Sequence, residues 1–258
     1  MHYPIFIVGN DPIRKSRLDA HLSDINFDMS NVHWSFTYTK DDPFIKWLHN
    51  VYAPNVSCAG ISGYMNGLEI ISQGCKNDFF MTACDDVVFP RDWQERITKL
   101  KLKPINIISM GVSYNLSHDD GYTFTGNVGG MECTLLSKEF GKFICDNIDF
   151  GQNADIVIGA MMCYHGMELA VTPICHQTSI LEHKTSSLGH AQTTYKKNWI
   201  EYTQTYKPSG LKYTQLLDEF KKFMGLKNVI EDKYYDRFGI RLDIWNVDYI
   251  MKQSVFLI

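Results

Sequence analysis

The feature that most constrains this chain is a series of short, uninterrupted apolar runs separated by stretches of helical period. Pro4-Ile5-Phe6-Ile7-Val8-Gly9 and Asp78-Phe79-Phe80-Met81-Thr82-Ala83 are too short for helices and read as strands buried in a sheet, and Ile105 to Met110 has the same form. Val32 to Thr39 alternates apolar and polar residues, as a strand with one covered face does. Between these runs lie amphipathic patterns. One opens at the turn Asn10-Asp11-Pro12 and carries Ile13, Leu18 and Leu22; a second follows Lys40-Asp41-Asp42-Pro43 with Phe44, Trp47 and Leu48. A third, Ile61 to Ser72, places Tyr64, Met65, Leu68 and Ile71 on one stripe and is ended by Gln73-Gly74; Arg91 to Leu102 does the same with Trp93, Ile97 and Leu100. The order βαβαβαβ predicts an α/β fold with a largely parallel sheet covered by helices.

Beyond it, Asp119 to Gly130 is a Gly-, Asp-, Thr- and Asn-rich loop long enough to serve as a binding loop. Ser137 is positioned to cap a helix bearing Phe140, Phe143, Ile144 and Ile148, Asp155 to His165 forms another closed by Gly166, and Glu168 to Pro173 a further strand. The tail from Ala191 reads as helical and aromatic, so the expected organisation is a domain over 1–190 with a helical extension over 191–258 packed on it. Hydrophobic residues make up 45% and charged residues 21%, the balance of a folded protein. No stretch approaches the roughly 20 apolar residues of a membrane span, and the start lacks the basic head of a signal peptide. The seven cysteines show no Cys-x-x-Cys spacing and read as reduced thiols; a cytoplasmic location is the expectation. The net charge of −4 is uneven, residues 181–230 being net basic on an otherwise acidic chain, which suits either an anionic partner or a solvated lysine-rich helix face.

Asp85-Asp86 sits where the third strand leaves the sheet, and in open α/β sheets ligands lie outside the carboxyl ends of strands. Adjacent carboxylates there repel unless a cation or donors hold them. A divalent ion bridging a nucleotide diphosphate resolves that cost, since hard oxygen ligands suit Mn2+ or Mg2+. A surface turn is the competing reading of the pair alone.

The stretch Gly60-Ile61-Ser62-Gly63-Tyr64-Met65-Asn66-Gly67-Leu68-Glu69-Ile70-Ile71, followed by Asn77 to Pro90, resembles the core of GT-A glycosyltransferases, in which a helix with a polar Asn or Ser precedes a hydrophobic strand ending in an acidic signature. The nearest flavour is the lipopolysaccharide and collagen galactosyltransferase type, whose strand ends Glu-Asp-Asp-Val; here Cys84 stands in place of the Glu. The resemblance implies a Rossmann-like GT-A fold, Asp86 as direct metal ligand and Asp85 near the ribose or the metal. Arg14, followed by Leu18, is similar to the family's Arg-x-x-x-Leu and is expected to meet the donor, a helix-surface arginine being the alternative. Asn66 belongs to the same donor site by this resemblance. Gly126 to Glu132 resembles the glycine loop that approaches the sugar, which assigns Gly129 and Gly130. Ala154-Asp155-Ile156-Val157-Ile158-Gly159 is similar to the helix start that carries the general base, though an Asp there is also a plain helix N-cap. His183-Lys184-Thr185-Ser186-Ser187-Leu188-Gly189-His190 resembles the late loop whose histidine completes the metal site, so His183 is the first choice for a ligand and His190 the second, with Lys184, Ser186 and Ser187 toward the diphosphate and His176 either in the core or supporting the ligands from behind.

These assignments imply an inverting transferase in which Asp155 deprotonates an acceptor hydroxyl and the donor is a nucleotide diphosphate sugar, a uridine diphosphate sugar first. The acceptor is read from the tail. Tyr195, Lys196, Lys197, Trp199, Tyr202, Tyr206, Lys207, Lys212 and Tyr213 interleave cations and rings, as a nucleic-acid surface does. The chain also resembles tailed-phage proteins, which implies a hydroxymethylated base in phage DNA as acceptor; a cell-surface glycan or lipopolysaccharide is the alternative, and a packed helical tail explains the same residues without any acceptor. Two other classes remain, a nucleotidyltransferase and a non-catalytic nucleotide-binding module, while a dinucleotide fingerprint and a Gly-Lys-Ser/Thr phosphate loop are absent from the sequence.

Overall fold

A computed structural model describes residues 3–9, 12–85, 87–93, 95, 107–111, 123–124, 133–152, 154–164, 169–177, 201–202 and 204–238. The described strands are β1 (Ile5–Val8), β2 (Val32–Ser35), β3 (Phe79–Cys84), β4 (Val87–Val88), β5 (Ile107–Gly111), β6 (Thr123–Phe124), β7 (Cys133–Ser137) and β8 (Leu169–Gln177). The helices are α1 (Pro12–Asp24), α2 (Pro43–Val51), α3 (Cys58–Gly74), α4 (Lys138–Asp146), α5 (Ala154–Tyr164) and α6 (Tyr213–Phe238).

The sheet runs β2-β1-β3-β7-β5-β8-β4, with β6 also on β8. β1 is parallel to both β2 and β3, and β5 to β8. Five strands therefore share one direction, as the alternating sequence pattern requires. β7 does not: it runs antiparallel between β3 and β5 and joins the two halves. The sequence pattern predicts no strand at Cys133–Ser137, because five residues between a loop and a helix cap carry no local mark of the register they take.

The sheet is covered on both faces. Phe6, Phe80 and Leu136 face a core with α2, α3, α4, α5 and the start of α6, while Ile5, Ile7, Met81, Cys133 and Leu135 face a second core with α1, Phe89 and Trp93. Alternate residues of one strand thus enter opposite cores, which is why β1 and β3 read as unbroken apolar runs. Helix starts follow the expected chemistry. Asp42 accepts the Phe44 N–H at 2.7 Å, Ser57 accepts that of Gly60 at 3.1 Å, and Ser137, as predicted, accepts that of Phe140 at 3.3 Å. Asp155 is the second residue of α5 and so lies inside the helix instead of capping it.

The tail packs. Ile148 N–H donates to Leu211 C=O at 2.9 Å, Gly210 N–H to Asn147 Oδ1 at 3.1 Å and Ser209 Oγ to Ile148 C=O at 2.8 Å, seating the segment before α6 on the end of α4. Phe220 then packs with tilted rings against Phe44 and Trp47, with ring centroids 5.0 and 5.6 Å apart. No described helix is long and apolar enough to cross a membrane.

Candidate functional site

At the carboxyl ends of β1, β2 and β3 lies a cavity of about 560 Å³, lined by Val8, Gly9, Arg14, Phe36, Tyr38, Thr39, Lys40, Asp41, Ala59, Ser62, Gly63, Asn66, Cys84 and Asp85. Three strands ending side by side with helix starts beside them leave this crevice by construction. It lies within the size range of small-molecule sites, with a few polar groups converging on apolar walls.

Asp85 occupies the floor. Its side chain is 9% exposed and packs so closely on Gly9 that a methyl group there would stand 2.6 Å from Asp85 Cβ. Glycine at the end of β1 is therefore required by close approach. Arg14, on the first turn of α1, donates to Asp85 Oδ1 at 3.3 Å. The cation expected to offset an acidic group at this strand end is thus supplied, for Asp85, by Arg14.

Asn66 also lines the cavity, and its amide is engaged there. Its Oδ1 accepts the Tyr38 N–H at 2.9 Å and its Nδ2 donates to the Tyr38 C=O at 2.8 Å, so α3 grips the backbone that continues β2. This redirects Asn66 from direct donor contact toward holding the wall. One turn on, Glu69 accepts from the buried Ser35 hydroxyl. The predicted second strand stops at Ser35 because these side chains take the place of a ladder beyond it.

Sequence reasoning missed the wall itself: Phe36, Tyr38 and Lys40. Phe36 is 40% exposed at the cavity and stacks on Trp34 with centroids 5.5 Å apart, while Lys15 sits over the Trp34 ring at 4.7 Å. An exposed aromatic one alternation past Trp34 was the available signal, submerged in the reading of Val32 to Thr39 as one strand.

Of the other predicted residues, Asp86, Gly129, Gly130, His183, Lys184, Ser186, Ser187 and His190 lie outside the described residues. His176 is in β8 opposite Val88, so this strand comes beside the chain just after the acidic pair. Asp155 is in the first turn of α5, and Asp149 to Gly151 shortly before that helix share a second cavity of about 470 Å³ with Tyr52 to Val56, just before α3. The segments that lead into α3 and α5 therefore meet at this second cavity, while the first turns of α3 line the first. Among the described residues no group of three His, Cys, Asp or Glu side chains forms a metal cluster.

Among the described residues of the tail, Tyr206 and Tyr213 are spent on packing in the core and Tyr202 packs against it. Tyr206 and Tyr213 are each 7% exposed, and Tyr202 donates its hydroxyl to Asp149 Oδ2 at 2.5 Å. Burial raises all three phenols, Tyr206 to about 12. Their rings are not a surface for stacking bases, which corrects that part of the nucleic-acid reading; Tyr195 to Trp199 lie outside the described residues.

No family model matches the chain, and no curated protein does. Among solved structures it is similar to A197 from STIV, with a TM-score of 0.41 and 13% identity over 68% of this chain and 83% of that one. A likeness at that level says nothing of function.

Proposed function

We propose that this chain is a GT-A type, metal-dependent glycosyltransferase that moves a sugar from a nucleotide diphosphate sugar to an acceptor hydroxyl. The observation that carries the reading is the convergence of Arg14 and Asp85, both marked in the sequence, on one cavity at the carboxyl ends of β1 to β3, with Asn66 holding its wall. In this reading Phe36 offers a flat apolar face to the nucleobase, and Arg14 and Lys40 offer cations to the donor's anionic part. Asp86 is the proposed direct ligand of Mn2+ or Mg2+, with the carboxylate of Asp85 beside it and His183 as the proposed third ligand, hard oxygen donors being what these ions take. A bound ion would stabilise the departing diphosphate. Lys184, Ser186, Ser187 and the backbone at Gly129 and Gly130 are proposed to line the remaining donor site.

Asp155 is the proposed base: the acceptor O–H proton passes to its carboxylate as the oxygen bonds the sugar carbon and the bond to the diphosphate breaks. A glycan hydroxyl is favoured over a flipped DNA base as acceptor, because Tyr202, Tyr206 and Tyr213 are committed to the core.

Thermal-shift screening against nucleotide sugars with and without manganese tests the donor reading. Ligand at a hundred times its Kd stabilises by about 2.7 kcal/mol, and absence of any response to nucleotides refutes it. Asp155→Asn is expected to cut turnover about 10²–10⁴-fold while leaving the donor-induced shift intact.

A further inference from the structure

The outer wall of the cavity, Phe36 to Asp41, lies beyond the last ladder pair of β2, Val8 with Ser35. Something other than the sheet must hold it, since backbone outside regular structure is otherwise free to shift. Its far end is fixed where Asp42 N–H donates to Thr39 C=O at 3.1 Å and Asp42 caps α2. Its middle is fixed by the two-point grip of Asn66 on Tyr38. A third restraint comes from a remote part of the chain. The Tyr38 hydroxyl lies 3.0 Å from that of Tyr213, 175 positions on, and Tyr213 is the first residue of α6.

Tyr213 is well placed to act as a strut. It is 7% exposed, so its ring has little room to move. Its helix is anchored by Phe220 against Phe44 and Trp47, by Phe223 at 6.1 Å from Trp47, and by Glu219, which accepts from the Tyr52 hydroxyl. Tyr38 in turn packs on Phe44 at 5.4 Å, so the hydroxyl pair closes a ring of contacts from the wall through α2 and α6 back to the wall.

We infer that Tyr213 is a positioning residue for this cavity, setting the wall through the Tyr38 hydroxyl so that ligand affinity depends on how α6 is seated. Burial raises both phenols, and the nearby Glu69 carboxylate adds to the effect at each.

The test uses the full chain carrying Tyr213→Phe, Tyr38→Phe and both together, changes that keep every ring in place. Amide hydrogen exchange is read without ligand across Phe36 to Asp41, where the Tyr38 N–H reports directly on the Asn66 grip. A neutral hydrogen bond is worth about 1 kcal/mol, so each single variant is expected to speed exchange there about fivefold, with the double variant no worse than either single. Amides of β3 should be unaffected. Unchanged exchange in the wall, equal acceleration in β3, or additive single effects would each overturn the inference. A second arm rests on the proposed donor reading: with a nucleotide sugar that stabilises the native chain, Tyr213→Phe should raise KM severalfold at constant kcat, and an unchanged KM overturns the coupling. The exchange arm needs no ligand, so it decides this inference even where the donor reading fails.

Discussion

Replacing Gly9 by Ala tests the construction of the cavity floor. A methyl group there stands 2.6 Å from Asp85 Cβ and 2.7 Å from its Cγ, and it also meets Oδ2. Carbon pairs rest at about 3.5–4.0 Å, so the overlap is roughly 1 Å and Asp85 must swing away. Overpacking of this kind costs about 1–3 kcal/mol. Losing Arg14 as partner adds less than about 1 kcal/mol, because the arginine is 44% exposed and its pair is screened. Removing a glycine from the unfolded chain returns about 0.4–1 kcal/mol. The net expectation is a loss of about 2 kcal/mol, read as a lower urea midpoint at unchanged slope. Gly63 lines the same cavity but has no atom within 4 Å of an added methyl and sits inside α3. Gly63→Ala should therefore stabilise by about 0.5–1 kcal/mol. If Gly9→Ala shifts the midpoint no more than Gly63→Ala does, or in the same direction, the close-approach argument is wrong.

Gly74→Ala should be more damaging than Gly9→Ala, since its methyl would overlap the Phe80 ring, 2.6 Å from Cγ, in the centre of a core; circular dichroism melts would rank the two. Asn66→Ala strands the Tyr38 N–H and C=O and should cost about 1–3 kcal/mol by denaturant unfolding, with faster amide exchange at Tyr38. In alkali, burial raises Tyr52 and Tyr206 to about 12 from the usual 10. Groups raised on folding favour the native state below the unfolded value and lose that contribution as pH climbs through the folded one. Phenolate absorbance should therefore lag a free-tyrosine curve, and stability should fall between about pH 10 and 12; a fall complete below pH 10 would contradict this.

Much of the cavity was legible because its parts are local. The run Pro4 to Gly9 and the helix-strand unit Ile61 to Ala83 each declare themselves within one window, and strand ends in a parallel sheet fall on one edge, so Asp85 could be placed from pattern alone. Arg14 was found by the resemblance of Arg14 and Leu18 to an Arg-x-x-x-Leu motif. What was not legible depends on distant partners. Whether Asn66 faces a ligand or a backbone is decided by Tyr38, 28 positions away. Tyr202, Tyr206 and Tyr213 have the composition of a nucleic-acid surface, and only the folded tail shows them turned inward. The direction of β7 is set by neighbours on both sides and by nothing in Cys133–Ser137 itself.

That central antiparallel strand has a consequence for how the chain is made. β3 is apolar and covered on both faces in the finished protein, yet the neighbour on its second edge begins only at Cys133, well after β3 ends at Cys84. Until Cys133–Ser137 has emerged, the nascent half formed by β1, β2 and β3 carries an unpaired, water-averse seam of the kind that recruits other chains. Yield on expression should accordingly track the interval during which that seam stands open, improving at low temperature or with chaperones, more closely than it tracks the equilibrium stability of the completed fold.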